Sequence, residues 1–253
     1  VGELAGLGAA LIWASTNIIL RGQSVRFGAV MVNAWRTVFA AICFAIIFLL
    51  TRGPSHLTAI PLSSLLTLLA GVVVGMVIGD ALQFTAMTRI GVARAMPISS
   101  CFPLFTIAIA AVFLDEQITV RTIAGALLVV VGVTLVALPR RAGVEERASG
   151  GGLPAGYWIG VAMALTAAVC WSFSTTFSRI AMQHMDVITA NAIRMPFSAL
   201  VSMAIGLRSG WIPPHKFGRR SLAILIGCGL IGTAGGGFLY LTAIDLAGAA
   251  KTA

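Results

Sequence analysis

The chain has 253 residues, of which 58% are hydrophobic and only 10% charged, with a net charge of +9. Soluble domains carry about 25% charged residues, because a water-facing surface of this size has to be covered. The deficit excludes a soluble enzyme and a disordered chain. It also excludes a nucleic-acid binder, whose basic residues would cluster on one solvated face instead of lying singly between apolar runs. An integral membrane protein is what remains.

A hydrocarbon core about 30 Å thick is crossed by about 20 helical residues. In chain order, apolar runs of this kind lie at roughly 4–20, 28–50, 61–88, 95–114, 122–138, 156–178, 187–207 and 221–244, and another begins near Ala249. None shows the period-2 alternation of a membrane barrel strand. The expected fold class is therefore all-α integral membrane. The first run opens with Glu3 and has no basic stretch before it, so it does not read as a cleavable signal. The start at Val1 and the stop at Ala253 lead us to expect that both ends continue. Cys43, Cys101, Cys170 and Cys228 sit inside apolar runs without metal-ligand spacing and read as small core residues.

Residues 140–154 are polar, with Arg140, Arg141, Glu145, Glu146 and Arg147 followed by Gly150 to Gly152, and read as a solvated linker. On either side of it the sequence repeats. At an offset of 158, Trp13 meets Trp171, Arg21 meets Arg179, Asn33 meets Asn191, Arg36 meets Arg194 and Phe39 meets Phe197. At an offset of 157, Gly75 meets Gly232, Gly79 meets Gly236, Thr85-Ala86 meets Thr242-Ala243, and Gly91 meets Gly248. Shared Trp, Arg and Asn at constant spacing are not the chance matches of an apolar composition. The expected organisation is a first repeat at 1–139 with five spans, the linker at 140–154, and a second repeat at 155–253 with three spans and the start of a fourth. Five is odd, so the second repeat enters from the opposite side: an inverted five-plus-five repeat with a ten-helix parent.

Several motifs together resemble the EamA family of the drug/metabolite transporter superfamily. They are Gly2 to Trp13, Asn33-Ala34-Trp35-Arg36, Thr85-Ala86 with Gly91, and above all Phe113 to Leu138 with Glu116 and the Gly125/Gly132 pair. Asp115 departs from the family pattern, where Gly is expected. The resemblance implies a transporter of small organic solutes, with both termini cytoplasmic. The Lys/Arg bias argues the other way, since more of them follow odd spans than even ones. Orientation stays open.

Asp80, in Gly79-Asp80-Ala81-Leu82-Gln83, lies well inside the third span. An acid at the bilayer centre costs about 2.5–3.5 kcal/mol and needs a cation, a wet cavity or a proton to offset that. Proton coupling and a static salt bridge to Arg36 or Arg194 are both consistent with its place. Position 237 in the second repeat is Gly, so any such role is asymmetric. Arg36 and Arg194 are candidate charge partners, either capturing an anionic solute or capping neighbouring carbonyls. Trp13 and Trp171 fall mid-span, away from the interfaces that Trp prefers, and each buried indole N–H needs an acceptor. Asn17 and Thr175 lie one helical turn further on. With Gln83, Phe84 and Tyr240 they complete the expected cavity lining. Gly71, Gly75 and Gly79 line one face of the third span, answered by Gly232, Gly235, Gly236 and Gly237, and read as close helix packing. Pro97 and Pro103 in the fourth span either break the helix and free carbonyls toward a cavity or, for Pro97, mark its start, and Asp115-Glu116 reads as a helix cap.

The reading is a secondary transporter of small organic metabolites, amino-acid-like solutes first, working by alternating access in the cell membrane as an exporter or exchanger. Its partners are a small-molecule substrate and the lipid bilayer, with no nucleic acid, no cofactor and no metal. The chain has no GxxxxGK[ST] loop for ATP. A non-transporting scaffold or sensor is the alternative. An intramembrane enzyme is the remote one, because neither GxSxG nor HExxH occurs and the first Gly of a Gly-x-Gly-Asp segment is missing at Val77.

Overall fold

The computed structural model describes residues 1–114, 119–137, 156–208, 213 and 216–252, and the linker at 140–154 and Asp115-Glu116 lie outside them. The described residues form helices and no strand. We number the spans α1 (Gly2–Phe27), α2 (Ala29–Thr51), α3 (62–90), α4 (92–113), α5 (Val120–Ala137), α6 (Tyr157–Ala181), α7 (Val187–Arg208) and α8 (219–247). Among the described residues seven helices are long and apolar enough to cross a membrane, and α5 is a shorter eighth.

Helix ends follow local chemistry. Gly91 (φ 80°) and Gly248 (φ 86°) close α3 and α8 at repeat-related positions. Only glycine enters that backbone region without strain. Each N–H reaches back to the helix it ends, to Met87 and Ile244 carbonyls at 3.1 Å. The α4 span does not start at Pro97. It starts at Val92, and Pro97 lies inside a first segment that gives out at Ser99. A second segment runs Phe102–Phe113 with Pro103 in its first turn. The Ser99 and Ser100 hydroxyls donate to the Met96 carbonyl at 3.1 and 2.7 Å. The same carbonyl accepts the Ser100 N–H at 2.9 Å, so the first segment closes on it before the break.

The chain forms two compact units. The first comprises residues 1–72 and 178–248: α1, α2, the Leu62–Val72 segment of α3, the last turn of α6, α7 and α8. Within it α2 lies along α7, and α1 along the end of α8. The second comprises 73–177 with 249–251: the rest of α3, α4, α5 and most of α6. Both units therefore draw helices from both halves of the sequence.

The packing is that of helices in lipid, where no hydrophobic force drives apolar faces together and small residues set the interfaces. In the first unit Ala40, Ala41, Ala199 and Ala234 are buried around Phe44 and Met195. In the second, Ala86, Ala95 and Ala164 bring α3, α4 and α6 together beside Ile90. Large aliphatics face outward instead, with Leu50 81%, Ile18 76% and Leu128 73% exposed.

One polar contact ties α2 to the start of α7 in the first unit. Asp186 precedes α7, and its Oδ1 accepts the N–H groups of Ile188 and Thr189 at 2.8 and 3.0 Å. Its Oδ2 accepts from Arg52 Nε at 2.8 Å. Partial burial pulls the Asp186 pKa upward. The bonds from Thr189 and Arg52 outweigh that and hold the carboxyl below its ordinary value. A depressed acid contributes stability above the unfolded-chain pKa near 4 and loses it as pH falls through the lower folded value. Asp186→Ala should cost about 1 kcal/mol near neutral pH, most of it the lost cap. The deficit should shrink as pH falls below about 4. Thermal unfolding in detergent at a series of pH values checks both statements.

Candidate functional site

Helices α3 and α8 share an unusual feature at repeat-related places. Each departs from α geometry for two turns, at Val73–Gly79 and Cys228–Gly235, and winds as π-helix. Such turns carry an extra residue and concentrate at functional sites. Both stretches are rich in glycine, and in both a tryptophan from the opposite sequence repeat packs on the glycine face.

In the second unit the partner is Trp171 of α6. A Cβ on Gly79 would stand 3.1 Å from the indole Cδ1 and Nε1, and one on Gly75 would meet Ser174 Cβ at 2.6 Å. A side chain at Gly75 would clash outright, and one at Gly79 would push the indole back by a few tenths of an ångström. The indole Nε1 donates to Asp80 Oδ1 at 2.9 Å. Phe102, at the break in α4, sets its ring edge-on to Trp171 at 6.2 Å. Gln83, one turn beyond Asp80, is only 3% exposed. Its Nε2 donates to Met96 Sδ at 3.6 Å, while its Oε1 is buried without a partner. Thr175 is 2% exposed, and its hydroxyl donates back to the Trp171 carbonyl at 3.0 Å.

In the first unit the partner is Trp13 of α1. A Cβ on Gly236 would run into its indole, and one on Gly232 would meet Thr16 Oγ1 at 2.8 Å. Thr16 and Ser174 are themselves repeat equivalents at the offset of 158. Trp13 Nε1 donates to the Gly232 carbonyl at 3.0 Å, so a backbone oxygen does in this unit what Asp80 does in the other. Tyr240 packs on Trp13 with ring centroids 5.4 Å apart. The Arg194 guanidinium lies over the Tyr240 ring at 5.9 Å. Across from it, Arg36 Nε donates to Asn33 Oδ1 at 2.9 Å.

The structure thus joins Asp80 with Trp171 in one unit, and Trp13 with Tyr240 and Arg194 in the other. The side chains of Asn17 and Phe84 lie outside the described residues. Sequence reasoning did not find the Gly75/Ser174 and Gly232/Thr16 contacts, although their register was visible in the repeat. It used Asn191 only to align the repeat, and Asn33 for that and for the family resemblance. A groove of about 340 Å³ between Phe39, Ile42, Ile46 and Leu230 is apolar throughout and contains none of these groups.

The EamA-like transporter family model matches residues 1–138 and 158–253. The chain belongs to this family. An uncharacterized transporter of Archaeoglobus fulgidus is 29% identical over 133 residues, 53% of this chain and 47% of that protein. A probable amino-acid metabolite efflux pump of Salmonella typhimurium is 28% identical over 156 residues, 59% of this chain and 52% of that protein. The chain spans about half the length of the curated relatives it matches. A crystal structure titled only as that of a protein has the same fold, with a TM-score of 0.69 at 22% identity, covering 99% of this chain and 85% of that one. A multi-pass membrane protein of a transporter family is therefore what this chain is.

The glycine contacts make a direct prediction. Gly75→Ala should destabilise by about 1–3 kcal/mol through overpacking. Ser174→Gly in the same chain should recover a large part of the loss. A double-mutant cycle on thermal unfolding in detergent measures the coupling. Additive effects would show that the two residues do not touch.

Proposed function

We propose that this chain is part of a ten-helix secondary transporter. It moves small organic metabolites, amino-acid-like solutes first, across the cell membrane by alternating access, as an exporter or exchanger and without catalysis. The two sequence repeats, 1–139 and 155–253, enter the membrane in opposite senses and supply the two related halves of the cycle. The name of the Salmonella typhimurium relative favours amino-acid metabolites and outward movement.

The observation that carries the reading is the paired tryptophan contact. Each repeat presses an indole onto a π-wound glycine face, and a helix with an extra residue has two windings of similar energy. Moving the extra residue along such a helix turns the side chains it passes by about 100°. Alternating access needs an element of that kind, with two arrangements a few kcal/mol apart. The pair is also unequal. Trp171 is held by Asp80, which takes up a proton, and Trp13 by the Gly232 carbonyl, which does not. Protonating Asp80 removes the charge from the 2.9 Å bond and weakens it. One half of the pair thereby couples to the proton gradient. Our candidate solute-lining residues are Trp13, Asn17 and Tyr240 in the first unit and Asp80, Gln83, Phe84, Trp171 and Thr175 in the second.

Flux through proteoliposomes containing the full-length protein tests this, with a labelled panel of amino acids and related metabolites. With one proton per solute, a gradient of one pH unit should support about tenfold accumulation. Asp80→Asn should abolish gradient-driven accumulation while leaving exchange. Flux indifferent to both the gradient and Asp80→Asn removes the coupling assignment and leaves a facilitator. Absence of flux for the whole panel favours a scaffold or sensor instead.

A further inference from the structure

Helices α2 and α7 carry the same motif, Asn33-x-x-Arg36 and Asn191-x-x-Arg194. Residues three apart on a helix are neighbours, so the two side chains are placed to meet. In the first repeat they do: Arg36 Nε donates to Asn33 Oδ1 at 2.9 Å. In the second repeat the same two atoms, Arg194 Nε and Asn191 Oδ1, are both buried and both without a hydrogen-bond partner.

This difference is not an ambiguity in the amide. Asn191 is 0% exposed, and its Nδ2 donates to the Val187 carbonyl at 2.9 Å, which aims Oδ1 away from that bond. The Arg194 guanidinium is turned toward the Tyr240 ring instead. Gly237 faces both groups. A Cβ there would stand 3.5 Å from Asn191 Oδ1, 3.9 Å from Arg194 Nη2 and 2.8 Å from Met195 Cε. Repeat 1 has Asp80 where repeat 2 has Gly237, so the second repeat lacks a carboxylate at the position that faces this arginine. The Met195 methyl is the atom nearest Gly237, and it ends a flexible, unbranched side chain that repacks readily.

A buried donor or acceptor left unmatched is costly, and more so when it is charged. The pair in the first repeat shows that the motif can close on itself and avoid that cost. A pair held open in the second repeat is a site for a ligand with the complementary groups. That ligand must offer an anionic acceptor to the guanidinium and an N–H donor to the amide oxygen a few ångströms away. A simple carboxylate supplies only the acceptor, and a phosphate offers its O–H only beside further negative charge of its own. An amine supplies only the donor and meets a like charge at Arg194. An α-amino carboxylate supplies both, and the Tyr240 and Trp13 rings add an aromatic wall for its ammonium or its side chain.

We propose that Asn191, Arg194 and Gly237 form a receptor for the α-amino-carboxylate group, Arg194 taking the carboxylate and Asn191 Oδ1 the ammonium. It rests on the transport reading above in taking this ligand to be the carried solute. Binding is therefore measured separately from flux. Purified full-length protein in detergent is titrated with each of the twenty labelled standard amino acids by scintillation proximity. At least one should bind saturably. Its amide, lacking the carboxylate anion, and its deaminated acid, lacking the ammonium, should each bind about tenfold or more weakly. Arg194→Gln and Asn191→Ala should each weaken it about as much, whereas Arg52→Gln at the end of α2 should leave affinity unchanged. No binding by any of the twenty, equal affinity for acid and amide, or full affinity in Arg194→Gln each overturns the proposal. Should Arg194→Gln fail to fold, the acid–amide comparison on the unaltered protein decides. Binding without flux in liposomes would overturn the transport reading and keep the receptor. Flux of carboxylate-free solutes, with no amino-acid binding, would do the reverse.

Discussion

An indole ring pressed against a glycine backbone is the contact on which each unit of this protein depends. In lipid the helices gain nothing by hiding apolar faces from one another, and what holds them is close packing plus the obligation to satisfy every buried polar group. The two contacts meet both demands at once. Gly75 and Gly79 make room for Ser174 and Trp171, and Gly232 and Gly236 for Thr16 and Trp13. Each indole N–H then finds an acceptor within 3.0 Å. The small-residue interfaces of α2 with α7 and of α3 with α4 follow the same rule.

Duplication makes the differences between the halves informative. Where two copies of a motif have the same local sequence, a structural need should be met in the same way in both. The glycine faces, the tryptophans and the Thr16/Ser174 neighbours obey that expectation. Two places break it. A carboxylate replaces a backbone carbonyl as the indole acceptor in one unit, and the Asn-x-x-Arg pair is closed in one repeat and open in the other. The exceptions are polar groups in a medium that penalises them, so each needs a compensating gain. On the function proposed above, proton uptake at Asp80 and solute recognition at Arg194 would be such gains.

In the proposed cycle the π-wound stretches are where packing would meet movement. A glycine-rich helix that already carries an extra residue has backbone groups out of α register and little side-chain packing to lose when it rewinds. A tryptophan seated on it reports and resists that change through a single hydrogen bond. The same segments combine close indole and hydroxyl contacts with backbone out of α register.

Much of this was legible in the residue order. Apart from the end of α1, which runs seven residues past its expected end to Phe27, composition and run length place eight helices near where they lie, because the lipid core sets both the length and the apolar content of a span. The repeat register follows from Trp, Arg and Asn, which are too costly in a membrane to recur by chance. Asp80, Arg36 and Arg194 stand out for the same reason. What the chain order could not show was partner choice. Pro97 reads as a helix start, but upstream packing of Ala95 against Ala86 and Ala164 carries the helix back to Val92. The sequence offers Asp80 two arginines as partners, while the fold brings it an indole. The sequence makes the two Asn-x-x-Arg motifs equal. Only the tertiary structure closes one and opens the other, because the decision rests on what α8 places opposite Arg194: a tyrosine ring and a glycine 46 and 43 residues further along the chain, which no local rule of spacing or polarity can anticipate.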